Sequence, residues 1–210
     1  QLDLHPARGD QLDVEAAARR TRDLASLMMS HGADAVQVAR MLSAEADAIV
    51  RKAVEFIVAE MGPPPTPFDI LLMGSLGRRE VTLLADQDHA IIYPDQEAAD
   101  ETEVRSYYLE MGRRLADLLA VAGFPYCEGK IMSSEPACCQ SLAAWRAAFD
   151  RWSTTLEPDD LLQAKIFFDF RGVLGEKELV TALREHLAHS LAQRPRFFPL
   201  LAQSILQYEP

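Results

Sequence analysis

Cysteine is scarce in this 210-residue sequence: only Cys127, Cys138 and Cys139 are present. An odd number with two adjacent residues fits neither a disulfide framework nor a CxxC zinc site, and reduced thiols in a reducing cytoplasm are the plain expectation. Basic residues are also under-represented, 21 Lys and Arg against 32 Asp and Glu, for a formal net charge of −11. Sequence-independent binding to a nucleic-acid backbone needs clustered Lys and Arg, so no nucleic-acid partner is expected. No apolar run approaches the roughly 20 residues of a membrane span. The five histidines show no HxxxH or HExxH spacing, which leaves zinc hydrolysis without support. The opening QLDLHPARGDQLD has neither the charged start nor the apolar stretch of a signal peptide. It begins on Gln1, as expected of a segment whose upstream part is missing. Together these absences point to a soluble cytoplasmic chain with no membrane partner.

What is present is ordinary globular material, 49% apolar and 25% charged, long enough to bury a sizeable core. Apolar positions at helical spacing predict one helix over residues 12–29 and a second, capped by Asp34, that stops before Gly62-Pro63-Pro64-Pro65. Residues 68–73 and 88–93 are short apolar runs bounded by Pro or Gly and read as buried strands. An amphipathic helix follows from Val104 and is stopped by Gly123; residues 130–133 are the expected third strand. The remainder reads as helical. Leu142, Trp145, Phe149 and Trp152 form one stripe, residues 161–170 read as a central helix, and Leu179, Leu183, Leu187 and Leu191 form another stripe. The fold class is therefore α+β, with a helical arm at 1–62, an α/β unit at 63–136 and a helical bundle at 137–210.

Chemistry concentrates between the first two strands. Gly74-Ser75 is followed, after ten residues, by Asp86-Gln87-Asp88. Alternation along a strand sends Asp86 and Asp88 to one side, where two carboxylates repel unless a cation sits between them. Oxygen-only ligands suit Mg²⁺, which is commonly shared with substrate phosphates. A Gly-Ser turn lets backbone approach a phosphate, with the Ser75 hydroxyl as a donor, and Arg78 and Arg79 follow within reach. The pattern reads as a site for a metal–triphosphate complex. It is neither a P-loop nor a dinucleotide fingerprint, because GxxxxGK[ST] and the third glycine are both missing.

Gly-Ser, ten residues, then Asp-x-Asp on a strand resembles the signature of the DNA polymerase β-like nucleotidyltransferase superfamily. More closely, GSLGRREVTLLADQDHAIIY is similar to nucleotidyltransferase domains related to the N-terminal region of PII uridylyltransferase, which often follow cyclic-nucleotide-binding and CBS domains. The segments GFPYCEGKIMSSEP, CCQSLAAWRAAFDRW and FFDFRGVLGEKEL extend the resemblance over nearly the whole chain. It implies a small polymerase β-like sheet and Mg²⁺-dependent attack by a hydroxyl on the α-phosphate of a nucleoside triphosphate. The acceptor it implies is a signalling protein of the PII kind. Gly74 and Ser75 would hold phosphates, Asp86 and Asp88 would bind metal, and Arg78 would offset triphosphate charge. Glu80 would orient Arg78 or the turn. Active members supply a third carboxylate from a later strand; residues 130–133 carry none, and Glu128 is better placed than Glu135 to serve.

Blander readings compete at each position. Asp86 and Asp88 could belong to a solvated acidic turn, Arg79 to the surface, and Lys130 to the surface or the nucleotide. Lys165, Asp169 and Arg171 read more readily as a salt bridge holding the bundle than as substrate contacts. Trp145 and Trp152 read as core. Without a third carboxylate, the alternative is a nucleotide-binding regulatory module coupled to upstream sensory domains.

Overall fold

Gly32, at a φ of +79°, ends the first helix, and the Asp34 carboxylate accepts from the Val36 and Gln37 N–H groups at 2.7 and 3.3 Å to start the second. These helices, α1 (Arg8–Ser30) and α2 (Ala35–Met61), form the hairpin expected of the arm. The computed structural model describes residues 8–97, 100–155, 166–175 and 177–206.

Past the proline segment the chain enters β1 (Asp69–Leu72), turns through the five-residue α3 (Gly74–Arg78) and returns as β2 (His89–Tyr93). The two strands are antiparallel, with Asp69 opposite Ile92 and Leu72 opposite His89. Then come α4 (Glu101–Val121), a 3₁₀ turn, β3 (Cys139–Ser141), α5 (Leu142–Thr155), β4 (Arg171–Gly172), α6 (Lys177–Ala192) and α7 (Phe197–Leu206). The sheet has the order β3-β2-β1-β4, with β3 parallel to β2 and β4 antiparallel to β1. This is a mixed α+β fold with a small sheet, consistent with the polymerase β-like architecture.

Alternation along the strands divides the core. Ile70, Leu72, Ile91 and Tyr93 pack with α2 and α4, while Leu71, Met73, Ala90 and Ile92 pack with Trp145, Phe149 and Leu183 of the C-terminal helices. Burial on both faces is why β1 and β2, apart from their first residues Asp69 and His89, are apolar on both sides. Trp145 is fully buried and donates its indole N–H to the Ile91 carbonyl at 3.0 Å.

Two expected elements differ. Residues 130–133 are not a strand: Lys130 adopts a φ of +57°, and a single backbone–backbone bond, His89 N–H to the Ile131 carbonyl at 3.0 Å, joins the segment to β2. The strand beside β2 is β3, and β4 flanks β1, so the sheet is completed from beyond residue 136. Nor does a helix continue through residue 170. Ile166 and Phe167 are helical, then residues 168–170 bend into β4; residues 161–165, with Lys165, lie outside the described residues.

Long-range polar contacts brace this assembly. Asp69, almost fully buried, accepts N–H bonds from Val173 and Leu174 at 2.9 and 2.8 Å and from Gly175 at 3.3 Å. Arg171 pairs bidentately with Asp47 of α2, at 2.9 Å on one arm, and its Nε donates to the Leu76 carbonyl. Arg171 is thus a buried salt bridge, here joining β4 to the arm. Among the described residues no helix is long and apolar enough to cross a membrane.

Candidate active site

The β1–β2 ladder extends one step beyond the strands, where Met73 N–H donates to the Asp88 carbonyl at 3.0 Å. The chain then turns at Gly74, whose φ is +53°. A methyl group on Gly74 would lie 2.8 Å from Asp88 Oδ2, so glycine here permits both the backbone angle and the close approach of the carboxylate. Gly77 has a steric reason of its own, since a Cβ there would meet the Asp169 carbonyl oxygen at 2.1 Å. The two glycines of Gly74-Ser75-Leu76-Gly77 therefore let one short helix pack between Asp88 and residue 169.

Asp86 and Asp88 stand immediately before β2, both half-buried, and the residues between and after them do the holding. Gln87 and His89 are fully buried. Gln87 donates its amide N–H groups to the Ala116 and Phe124 carbonyls, both at 3.1 Å, while its backbone N–H reaches the Pro125 carbonyl at 3.2 Å. Ser133 N–H donates to His89 Nδ1 at 3.2 Å, which leaves the ring proton on Nε2 to donate to Gln87 Oε1 at 2.9 Å. Burial pushes the His89 imidazole down to about 3, so the ring is neutral. Period-two alternation thus sends Gln87 and His89 inward as an anchor while Asp86 and Asp88 face the opposite way.

The same anchor fixes the segment from 124 to 133 and delivers a third group to the carboxylates. One ligand atom from each of Asp86, Asp88 and Cys127 lies within 4.8 Å of the others. Burial raises the Asp88 carboxyl above its usual range, the Cys127 thiol donates a hydrogen bond that works against this, the Asp86 charge adds to it, and the Arg78 charge opposes it. Burial likewise pushes the Cys127 thiol up to about 12. This donor set fits a divalent cation. Two oxygens that repel each other gain a common counter-charge, and Gly74 leaves space against Asp88 that a side chain would fill.

Ser75, half-buried, is the second residue of α3, beside this corner. Arg78, at the end of α3, is gripped by Glu80 Oε2 at 2.7 Å and Asp169 Oδ2 at 2.9 Å, which raises its pKa further. Its partner Glu80 is thus in the orienting position, and Asp169 belongs to this rim rather than to the bundle. Arg79 takes the left-handed conformation and points to Asp47, 3.9 Å away. Glu128 and Lys130 are both exposed in the turn that begins at Cys127, and Glu128 is outside the converging trio. Beside Arg78 and Asp169 opens a groove of about 670 Å³, lined by Phe168, Phe170, Leu187 and Phe198 among others.

A backbone turn packed against Asp88, with Asp86 beside it and an arginine at the rim, is chemically suited to a phosphate group carried with a cation. Residues 19–159 match the family described as "Putative nucleotidyltransferase DUF294". The chain belongs to that family. Membership makes a nucleoside triphosphate the implied substrate and group transfer the implied reaction. The match runs from within α1 to just past α5 and includes Gly74, Ser75, Asp86, Asp88 and Cys127. No curated protein matches the chain.

Three contributors escaped the sequence reading. Gln87 and His89 were visible as the alternate positions of Asp-Gln-Asp-His, which must face away from the acids. Cys127 adjoins Glu128 in sequence, but only the turn that closes with Lys130 N–H on the Cys127 carbonyl decides which of the two faces the site.

Proposed function

We propose that this domain transfers a nucleoside monophosphate from a nucleoside triphosphate to a hydroxyl acceptor, with Mg²⁺ as the ion held by Asp86 and Asp88. The acceptor oxygen forms a bond to the α-phosphorus, the bond from that phosphorus to the bridging oxygen breaks, and pyrophosphate leaves with the electron pair. The hydroxyl proton passes to water. The observation that carries this reading is the close approach of Asp88 to Gly74, with Asp86 converging on Asp88, supported by family membership. The ion neutralises charge on the phosphates when bound.

Gly74 and Ser75 lie against the β- and γ-phosphates, backbone first, with the Ser75 hydroxyl donating. Arg78 turns from its carboxylate partners to the triphosphate, and Lys130 approaches from the facing turn. The acceptor in this reading is a hydroxyl on a signalling protein, as the similarity to PII uridylyltransferase implies. CBS or cyclic-nucleotide-binding domains upstream would make the transfer a regulated cytoplasmic event.

A second reading has a specific observation in its favour. Cys127, a thiol, stands beside the aspartates where a third carboxylate is expected, and Glu128 is exposed. On that reading the site holds a nucleotide without turnover and passes its occupancy to sensory domains.

Calorimetric titration with each of four ribonucleoside triphosphates, with and without Mg²⁺, tests both. Mg²⁺-dependent binding that is lost in Asp86→Asn, together with pyrophosphate release that falls by orders of magnitude in Asp88→Asn, supports transfer. Binding without pyrophosphate release for any acceptor supports the regulatory module.

A further inference from the structure

Resting on the metal reading of Asp86 and Asp88, we propose that the Cys127 thiolate becomes a third protein ligand when a soft divalent cation occupies that site. The resulting donor set of two oxygens and one sulfur selects soft divalent cations such as Zn²⁺, Co²⁺ or Cd²⁺ over Mg²⁺. Mg²⁺ then binds through the carboxylates alone, and a softer ion recruits the sulfur and displaces it.

Geometry supports a shared ion. Metal–oxygen and metal–sulfur bonds of about 2.0 to 2.3 Å at tetrahedral angles place ligand atoms roughly 3.3 to 3.8 Å apart. Atoms that all lie within 4.8 Å of one another close onto one centre by small side-chain rotations. Cys127 is buried, whereas both aspartates are half-buried. The trio is therefore closed on its sulfur side and open on its carboxylate side, leaving coordination positions for water or phosphate.

The sulfur is also held where it is. Gln87 binds the chain at Phe124 and Pro125, His89 binds it at Ile131 and Ser133, and Lys130 N–H closes the turn on the Cys127 carbonyl at 3.0 Å. The segment carrying the thiol and the strand carrying the carboxylates are thus one unit, which pre-organises the three donors. On binding, a metal–sulfur bond replaces the S–H bond, and its proton is released to solvent. Hard Mg²⁺ gains little from sulfur, whereas softer ions gain most from it. The other two cysteines, Cys138 and Cys139, are buried and do not belong to the converging trio, the Cys138 thiol being directed at the Lys130 carbonyl.

Cobalt and cadmium titrations of the reduced protein, with absorption read in the thiolate-to-metal charge-transfer region, test the assignment. Wild-type protein is expected to give a saturable band with one equivalent of Co²⁺. Cys127→Ser is expected to lose the band and to weaken Cd²⁺ binding about tenfold or more, the scale on which even outer-shell partners of a metal matter, with Mg²⁺ binding little changed. Cys127→Asp, which restores a third carboxylate, is expected to reverse the preference toward Mg²⁺. Circular dichroism of both variants establishes that they fold. Co²⁺ bound without a thiolate band, or a band that survives in Cys127→Ser, overturns the proposal while leaving the metal reading intact. Mg²⁺ and Co²⁺ binding that is unaffected by Asp86→Asn overturns the metal reading itself.

Discussion

Gly74 and Asp88 are in direct opposition: the position of a β-carbon on Gly74 lies 2.8 Å from Asp88 Oδ2, on a residue whose φ is +53°. Any side chain at 74 meets a strained backbone and pushes the carboxylate away. Gly74→Ala is expected to cost about 1 to 2 kcal/mol of stability and to weaken divalent-cation binding more than it weakens folding. Thermal unfolding and Mn²⁺ titration on the same sample check this; an unchanged cation affinity would detach Gly74 from the site.

In the proposed complex, Arg78 would have to leave its present partners, Glu80 and Asp169, to reach the triphosphate. Its bridges to Glu80 and Asp169 are half-exposed, and such pairs are worth about 0.2 to 1 kcal/mol each. Asp169→Asn is therefore expected to free Arg78 and tighten triphosphate binding by up to about fivefold. Arg78→Ala should weaken it with little change in melting temperature. Tighter binding in Arg78→Ala would show that the arginine faces away from phosphate.

Asp47 and Arg171 form the opposite case, a buried pair joining helix α2 to strand β4. Asp47→Ala strands a guanidinium in the interior and is expected to cost about 3 to 5 kcal/mol. Denaturant unfolding measures it. A loss below 1 kcal/mol would mean that water reaches Arg171.

Acid acts on the anchor beneath the aspartates. His89 is held down to about 3 in the folded protein, whereas an unfolded histidine titrates near 6.5. The unfolded chain takes up the proton first, so stability is full above about pH 6.5 and falls as pH drops toward 3, at up to about 1.4 kcal/mol per unit. Between pH 7 and pH 5 the contribution lost is about 2 kcal/mol. Denaturant midpoints across that range should shift less in His89→Gln than in wild type. Parallel slopes in the two proteins would count against a buried neutral imidazole.

The sequence disclosed those parts of the fold whose residues declare themselves. Strands β1 and β2 are runs of Ile and Leu between breakers, Asp34 is a recognisable cap, and the stripe from Leu142 to Trp152 appears as helix α5 with both tryptophans buried. Strands β3 and β4 have only three and two residues. A strand that short is defined by its neighbour and carries no pattern of its own. Residues 130–133 looked more strand-like, yet the Gly129–Lys130 turn admits only one ladder-like bond to β2.

At the candidate site, the spacing of Gly74, Asp86 and Asp88 pointed to residues that the structure brings near one another. The Arg78–Glu80 contact was expected from the family resemblance, whereas Asp169 is 91 residues from Arg78 and no local pattern reports the contact. Choosing between Cys127 and Glu128 required the turn conformation at Lys130, which follows from tertiary hydrogen bonds and not from residue type.

The sheet order β3-β2-β1-β4 has a consequence for biosynthesis. Strand β1 is made early, yet the neighbour on its far edge is not made until residue 172, and Asp69 must wait for residues 173–175 to satisfy its buried carboxylate. A chain growing from its N-terminus can assemble the arm and the β1–β2 hairpin but keeps one sheet edge open throughout that interval. That interval, more than any property of the finished fold, is when this domain is most exposed to mispairing with another nascent chain.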